Sequence, residues 1–158
     1  MKSDTVKLVT FRLGHEVFAA DVTSVERVLR YTTPSSVPDV PAWIVGVLEH
    51  RAGVIPVVDL RQRVELPDLA VTPETRILVL TTGAGPVGAV VDAVLAVTSV
   101  PAVAISEPPP LFRGLAAEFV RGIAKLDDRL AVILDVDRVL SSADRIVLEQ
   151  ALGAATRG

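Results

Sequence analysis

Few residues in this 158-residue chain have types and spacings that could carry chemistry. Gly83, Gly85 and Gly88 follow the apolar run RILVLTT in the GxGxxG spacing that cradles a dinucleotide pyrophosphate, and Glu107 stands about where a ribose-binding acid would be sought. That chemistry requires the glycines to open a helix. Instead AVVDAVLAV follows, dominated by valine and ending near Pro101, so the glycines read as a hairpin turn. His15 and His50 are the only histidines and there is no cysteine. Without HExxH or CxxC spacing a zinc or di-metal site has too few nitrogen and sulfur ligands, and both histidines are expected at the surface. No GxSxG surrounds a serine, Asp127-Asp128 reads as a turn, and Asp135 and Asp137 do not continue into a calcium loop. No nucleophile, base and orienting partner assemble, so the expectation is a chain with no catalytic residues, no metal and no cofactor.

The elements that would position any site are clearer than the site. Gly46 to Asp59 and Gly122 to Asp135 have equal length and matching apolar patterns. GVLEHRAGVIPVVDLRQRV (Gly46 to Val64) lies over GIAKLDDRLAVILDVDRVL (Gly122 to Leu140), each reading as strand, turn, strand and short helix. The turns fall at Ala52-Gly53 and Asp127-Asp128, where Gly and Asp tolerate a left-handed backbone. Asp59 and Asp135 then stand where a carboxylate would cap the helical turn that follows. Upstream of each copy is a weaker match, LVTFRLGHEVFAADVTSV (Leu8 to Val25) with ILVLTTGAGPVGAVVDAV (Ile77 to Val94), both reading as a hairpin with a Gly-containing turn.

In the first half Asp21 can cap a helix running to about Arg30, with Val22, Val25, Val28 and Leu29 as its apolar stripe, where the second half has valine-rich strand. Thr32 to Pro41 and Ser106 to Gly114 are proline-rich and read as crossing loops, and Ser142 to about Leu152 reads as a capped helix. Two halves of about five short strands predict a mainly β protein of two small barrels, with an α/β sandwich as the alternative.

Composition agrees with a folded β protein whose partners are proteins. Half of the residues are hydrophobic but only 4% are aromatic, so branched aliphatic side chains supply most of the apolar surface. Ala89 to Ile105 is broken by Asp92 and Pro101 and falls short of the roughly 20 clean residues a membrane-spanning helix needs. The opening MKSDTVKLVTF lacks the features of a secretion signal, so a cytoplasmic location is expected. A net charge of −3 with scattered arginines argues against nucleic acid as a partner. So apolar a chain is expected to carry exposed apolar patches that meet other proteins.

PAWIVGVLEHRAGVIPVVDLR (Pro41 to Arg61) resembles the signature of CheW-like domains, in which a strand with Gly and Arg leads to a Pro and a Val-Asp-Leu-Arg ending. The resemblance extends over nearly the whole chain, through Phe11 to Gly14, the valine-rich segment after Asp21, Gly85 to Val94 and the closing Gly122 to Leu140. It implies a single domain over 1–158 made of two five-stranded SH3-like barrels with short helices. Subdomain 1 would take about 14–75 with the N-terminal strand and 141–158, and subdomain 2 about 76–140. It further implies a non-enzymatic adaptor, recruited to membrane-associated arrays, that couples chemoreceptor cytoplasmic tips to the regulatory domain of the histidine kinase CheA, with no small-molecule substrate.

By the same resemblance Val25, Val28, Arg51, Val91 and Val97 fall where the family builds a receptor-facing groove between its barrels. From spacing alone the valines read more readily as core, and Arg51 equally as a solvated edge residue or an ion-pair anchor. Departures from the family pattern mark Glu26, Arg27, Glu49 and His50 as candidates for specificity: Arg27 stands where Glu is usual, and Glu49-His50 replaces Asn-Leu. Reversal of a contact charge changes which partners are accepted. Two other readings stay open, an adaptor of a non-motility chemosensory system and a small-molecule binder or enzyme using the cleft between the barrels.

Overall fold

The computed structural model describes residues 4–51, 53–63, 70–83, 85–108 and 119–138. The expected helix after Ser142 lies outside them. The chain is mainly β. Its strands are β1 (Thr5–Leu13), β2 (Glu16–Asp21), β3 (Val25–Arg30), β4 (Ile44–His50), β5 (Gly53–Asp59), β6 (Arg76–Thr82), β7 (Gly85–Val91), β8 (Ala93–Pro101), β9 (Ile105–Ser106), β10 (Val120–Lys125) and β11 (Leu130–Leu134). One short helix, α1 (Leu60–Arg63), follows β5. They form a six-stranded sheet in the order β8-β1-β2-β11-β10-β9 and a five-stranded sheet in the order β3-β6-β7-β5-β4.

These two orders express the sequence repeat. In the weaker match β1 and β2 correspond to β6 and β7, and in the stronger one β4 and β5 correspond to β10 and β11. The parallel pair β2-β11, Phe18 with Val132, then has its counterpart in β7-β5, Gly88 with Val57. The antiparallel pair β1-β8 has its counterpart in β6-β3. Each half of the chain therefore gives its opening hairpin to the other half's sheet.

The copies agree in detail. A bulge interrupts both β4-β5, between Ile44 and Gly46, and β10-β11, between Val120 and Gly122. Asp59 N–H donates to Trp43 O at 2.8 Å, as Asp135 N–H does to Phe119 O at 2.7 Å. The proline-rich segment that crosses after β3 is tied to β4 where Ser35 and Val47 exchange two backbone hydrogen bonds, and its Val37 is buried. A Cβ on Gly46 would fall on the Ser35 carbonyl oxygen, which is why the repeat keeps glycine there. At Gly122 the same approach, by Ser106 O and Ile105 Cγ2 of β9, is looser at 3.0 Å.

Alternation along each strand sends one face to a shared core and the other to a core private to its sheet. The shared core joins Phe11, Leu13, Phe18 and Ala20 of one sheet to Leu78, Leu80, Ala89 and Val91 of the other, with Phe119 and Leu134. Phe11 and Phe18 stack with centroids 6.4 Å apart. Leu8, Ala19 and Ile133 lie in one private core, and Val57, Ile77 and Val90 in the other. Each large side chain so buried contributes roughly 1.5–3 kcal/mol.

One element differs from expectation. Asp21 does cap a helical turn, accepting from Thr23 N–H at 2.9 Å and Thr23 Oγ1–H at 2.7 Å, but the turn is a 3-10 turn of three residues, Val22–Ser24. Val25–Arg30 is strand β3, not helix, with period-two exposure. Val22, Val25, Val28 and Leu29 have helical spacing, but the ladder with β6 and the β-branched side chains decide for strand, which leaves Val28 on the exposed face.

The two bonds from Thr23 hold the Asp21 carboxyl below the usual carboxylate range. A lowered folded-state value means stabilisation present above the ordinary carboxylate range and lost as pH falls through the lowered value. Asp21→Ala is expected to cost about 1 kcal/mol at pH 7, as N-cap losses do. The difference from wild type should close in acid, which paired chemical denaturation curves at pH 7 and pH 2 would check.

Candidate partner-binding edges

Val28 is 45% exposed and Val97 is 63% exposed. They lie on β3 and β8, the strands that border the two sheets, and they occupy equivalent positions in the repeat. Val28 is opposite Leu78 and Val97 opposite Val9, and Val9 and Leu78 correspond in the hairpin match. A bulge precedes each. The register skips Glu26, between Val25-Leu80 and Arg27-Val79, and skips Leu95, between Val94-Phe11 and Ala96-Thr10. Val25 and Val94 before the bulges pack on the shared core. The extra residue then turns the strand outward, so that Leu95 is 48% exposed beside Val97. Leu95 is a surface residue that sequence reasoning missed, although its correspondence to Glu26 could have revealed it.

Val91 does not belong to such a surface. It is fully buried in the shared core, because β7 lies between β6 and β5 and both of its faces are covered. The seam between the sheets is thus filled by the chain's own side chains. Among the candidates, the exposed apolar side chains are those of Val28 on β3 and Val97 on β8.

The β4-β5 hairpin brings the other candidates together. Arg51 and Glu49 are exposed at its end. His50, expected at the surface, has a side chain only 5% exposed, with Nε2 3.6 Å from Glu26 Oε1. Neither ring nitrogen has a hydrogen-bond partner. Since β3 and β4 are opposite borders of the five-stranded sheet, this contact requires the sheet to curl until its margins meet. It also sets Glu26 and Arg51 on neighbouring ground, while Arg27 is half-buried. Val97 belongs to the other sheet.

A buried ion cluster fixes this framework. Arg61 meets Asp59 through two bonds, Nε to Oδ1 and Nη2 to Oδ2, both 3.0 Å, and meets Asp92 Oδ1 through Nη1 at 2.9 Å. Asp59 Oδ1 also accepts Arg61 N–H at 3.0 Å, so the expected cap is real but is only part of its role. Asp92 Oδ2 accepts Gly14 N–H at 2.7 Å, and Asp92 N–H donates to Arg12 O at 2.9 Å. One guanidinium therefore ties the end of β5 to the start of β8 and, through Asp92, to the β1-β2 turn in the other sheet. In the second copy Asp135 instead faces Arg138 Nε at 3.6 Å in a more exposed pair.

The glycine motif carries no nucleotide geometry. Gly83 is in the β6-β7 turn, Gly85 opens β7 at φ +114°, and a Cβ on Gly88 would come within 3.1 Å of Ile77 Cγ2. Among the described residues no group of three or more His, Cys, Asp or Glu side chains could hold a metal ion. No helix among them is long and apolar enough to cross a membrane.

Residues 7–144 match the CheW-like domain model. The chain belongs to the CheW-like family. It is 33% identical over 147 residues to the chemotaxis protein CheW of Bacillus subtilis, covering 92% of this chain and 94% of that protein. It is 29% identical to CheW of Klebsiella aerogenes, covering 90% and 86% of the two chains. Protein FrzA of Myxococcus xanthus, 33% identical, is covered to 84% on both sides. The structure of the scaffolding protein TtCheW from Thermoanaerobacter tengcongensis superposes with a TM-score of 0.83 at 28% identity, over 89% of this chain and 96% of that one. The likeness to these CheW-like relatives thus runs over most of the chain.

Proposed function

We propose that this CheW-like chain is a non-catalytic adaptor that couples chemoreceptor tips to the regulatory domain of the histidine kinase CheA, working in the cytoplasm at membrane-associated arrays. Membership of a family whose members are named chemotaxis and scaffolding proteins supports the coupling role. One observation carries the location of the receptor contact: Val28 and Val97 are exposed at equivalent places on the bordering strands, each just past a bulge. Apolar side chains held outward on a rigid sheet suit a contact surface, since their exposure contributes nothing to the fold. Arg51 beside Val28's sheet supplies an ion-pairing group, and Val91 acts only by supporting the core.

Val28→Asp or Val97→Asp is expected to lower receptor capture at least tenfold, because a carboxylate forced into an apolar contact loses its water. Thermal unfolding should be unchanged, as both side chains are exposed. Co-sedimentation of each variant with receptor fragments and kinase measures this, and normal capture by both would remove the assignment.

A second reading, an adaptor of a non-motility chemosensory system, draws on two observations. FrzA, among the relatives, does not carry the chemotaxis name, and Arg27 reverses the charge the family usually places in this strand. Pull-down with kinases of both kinds of system separates the readings.

A further inference from the structure

At its far end the β3-β6 ladder pairs Arg30 with Arg76. Like charges directly opposite one another in an antiparallel pair repel and destabilise the strand pairing. Among the described residues neither guanidinium meets a carboxylate. Glu74, two residues from Arg76, is drawn instead towards Arg12 Nη1 at 3.9 Å. The two arginines line a depression of about 380 Å³ whose other walls are Tyr31, Val71, Thr72, Pro73 and Thr75. That volume is at the small end of the range for ligand sites.

The walls are arranged in advance. Arg76 Nη1 donates to Pro73 O at 2.7 Å and Thr75 O at 2.9 Å, which holds the guanidinium in place and leaves its remaining N–H groups to point elsewhere. Thr75 Oγ1 accepts Thr72 N–H at 2.8 Å, and Thr72 Oγ1 accepts Glu74 N–H at 3.1 Å. With each hydroxyl oxygen already accepting, its proton is free to donate. The site thus offers two full positive charges and the hydroxyl of exposed Thr72, with buried Thr75 fixing the turn behind it. Guanidinium forks match the geometry of carboxylate and phosphate oxygens.

We propose that this depression is an oxyanion site, in which Arg30 and Arg76 together hold a carboxylate or a phosphate group and the anion relieves their mutual repulsion. The site is independent of the adaptor reading, since it is at the end of β3 away from the bulge and needs no receptor.

The test is a titration of the isotope-labelled full chain with inorganic phosphate and, separately, with glutarate, at ionic strength held constant with chloride. Amide resonances of Val71, Thr72, Glu74, Thr75 and Arg76 and of Arg30 and Tyr31 are expected to move saturably. Arg30→Gln and Arg76→Gln should each weaken binding tenfold or more. Without added anion, Arg30→Gln should melt no lower than wild type, because removing one charge relieves the pair. Addition of the tighter anion should raise the melting temperature of wild type but not of the double variant. Tighter binding of glutarate identifies acidic side chains as the source of the group, and tighter binding of phosphate identifies a phosphate. Shifts that stay linear for both anions, or saturation that survives in the double variant, would overturn the proposal.

Discussion

Arg61→Ala is expected to destabilise the fold by about 3–5 kcal/mol, the usual cost of breaking a buried ion pair by removing one partner. The loss comes less from the missing attraction than from what remains. Asp59 and Asp92, with side chains 4% and 5% exposed, would be left as two buried carboxylates without a cation between them. Gly14 N–H and Arg61 N–H would still donate to them, but no backbone donor replaces a full charge. A denaturant titration measures the effect. The triple variant Asp59→Asn, Arg61→Met, Asp92→Asn should recover most of the loss, because it buries no charge. An Arg61→Ala protein that unfolds at the wild-type midpoint would mean that the cluster is open to water in solution.

Gly46→Ala comes next, with an expected cost of about 3 kcal/mol, at the upper end for forcing extra atoms into a packed site. The new Cβ would collide with the Ser35 carbonyl, a backbone atom that cannot rotate aside, at a residue whose φ of +152° already suits glycine. The proline-rich crossing would have to leave β4 and surrender both bonds between Ser35 and Val47. Gly122→Ala is the internal comparison. Its Cβ would meet Ser106 O and Ile105 Cγ2 at 3.0 Å, so a shift of a few tenths of an ångström relieves it and about 1 kcal/mol is expected. Melting temperatures of the two variants should therefore differ by several degrees. Equal melting temperatures would show that the first crossing segment is not seated on its sheet.

Much of the architecture was legible where a local pattern has one physical meaning. Glycine at Gly46 and Gly122, aspartate at Asp59 and Asp135 and turn-formers between them announced two copies of one hairpin. The prolines of Thr32 to Pro41 announced a segment that stays out of the sheet interior. The valines after Asp21 carry helical spacing, and pairing with β6 overrides it, leaving Val28 exposed. Pairing at a distance left the least trace. Nothing near Arg61 in sequence announces Asp92, and nothing near His50 announces the Glu26 that lies over it. Val91 and Val97 look alike in sequence. They part company because β7 has a neighbour on both sides and β8 borders its sheet.

The exchange of opening hairpins between the sheets has a consequence for synthesis. The β1-β2 hairpin leaves the ribosome first, yet the outer edge of β2, at Phe18 and Ala19, can pair with β11 only once Val132 and Ile133 have been made. At bacterial translation speeds that is a wait on the order of ten seconds. During that interval Leu8 and Ala19 lack the Ala124, Ala131 and Ile133 that complete their core, so a nascent chain of this design invites capture by a chaperone. A fragment ending before β8 should be captured permanently, and the completed chain should acquire protease resistance in both sheets at once.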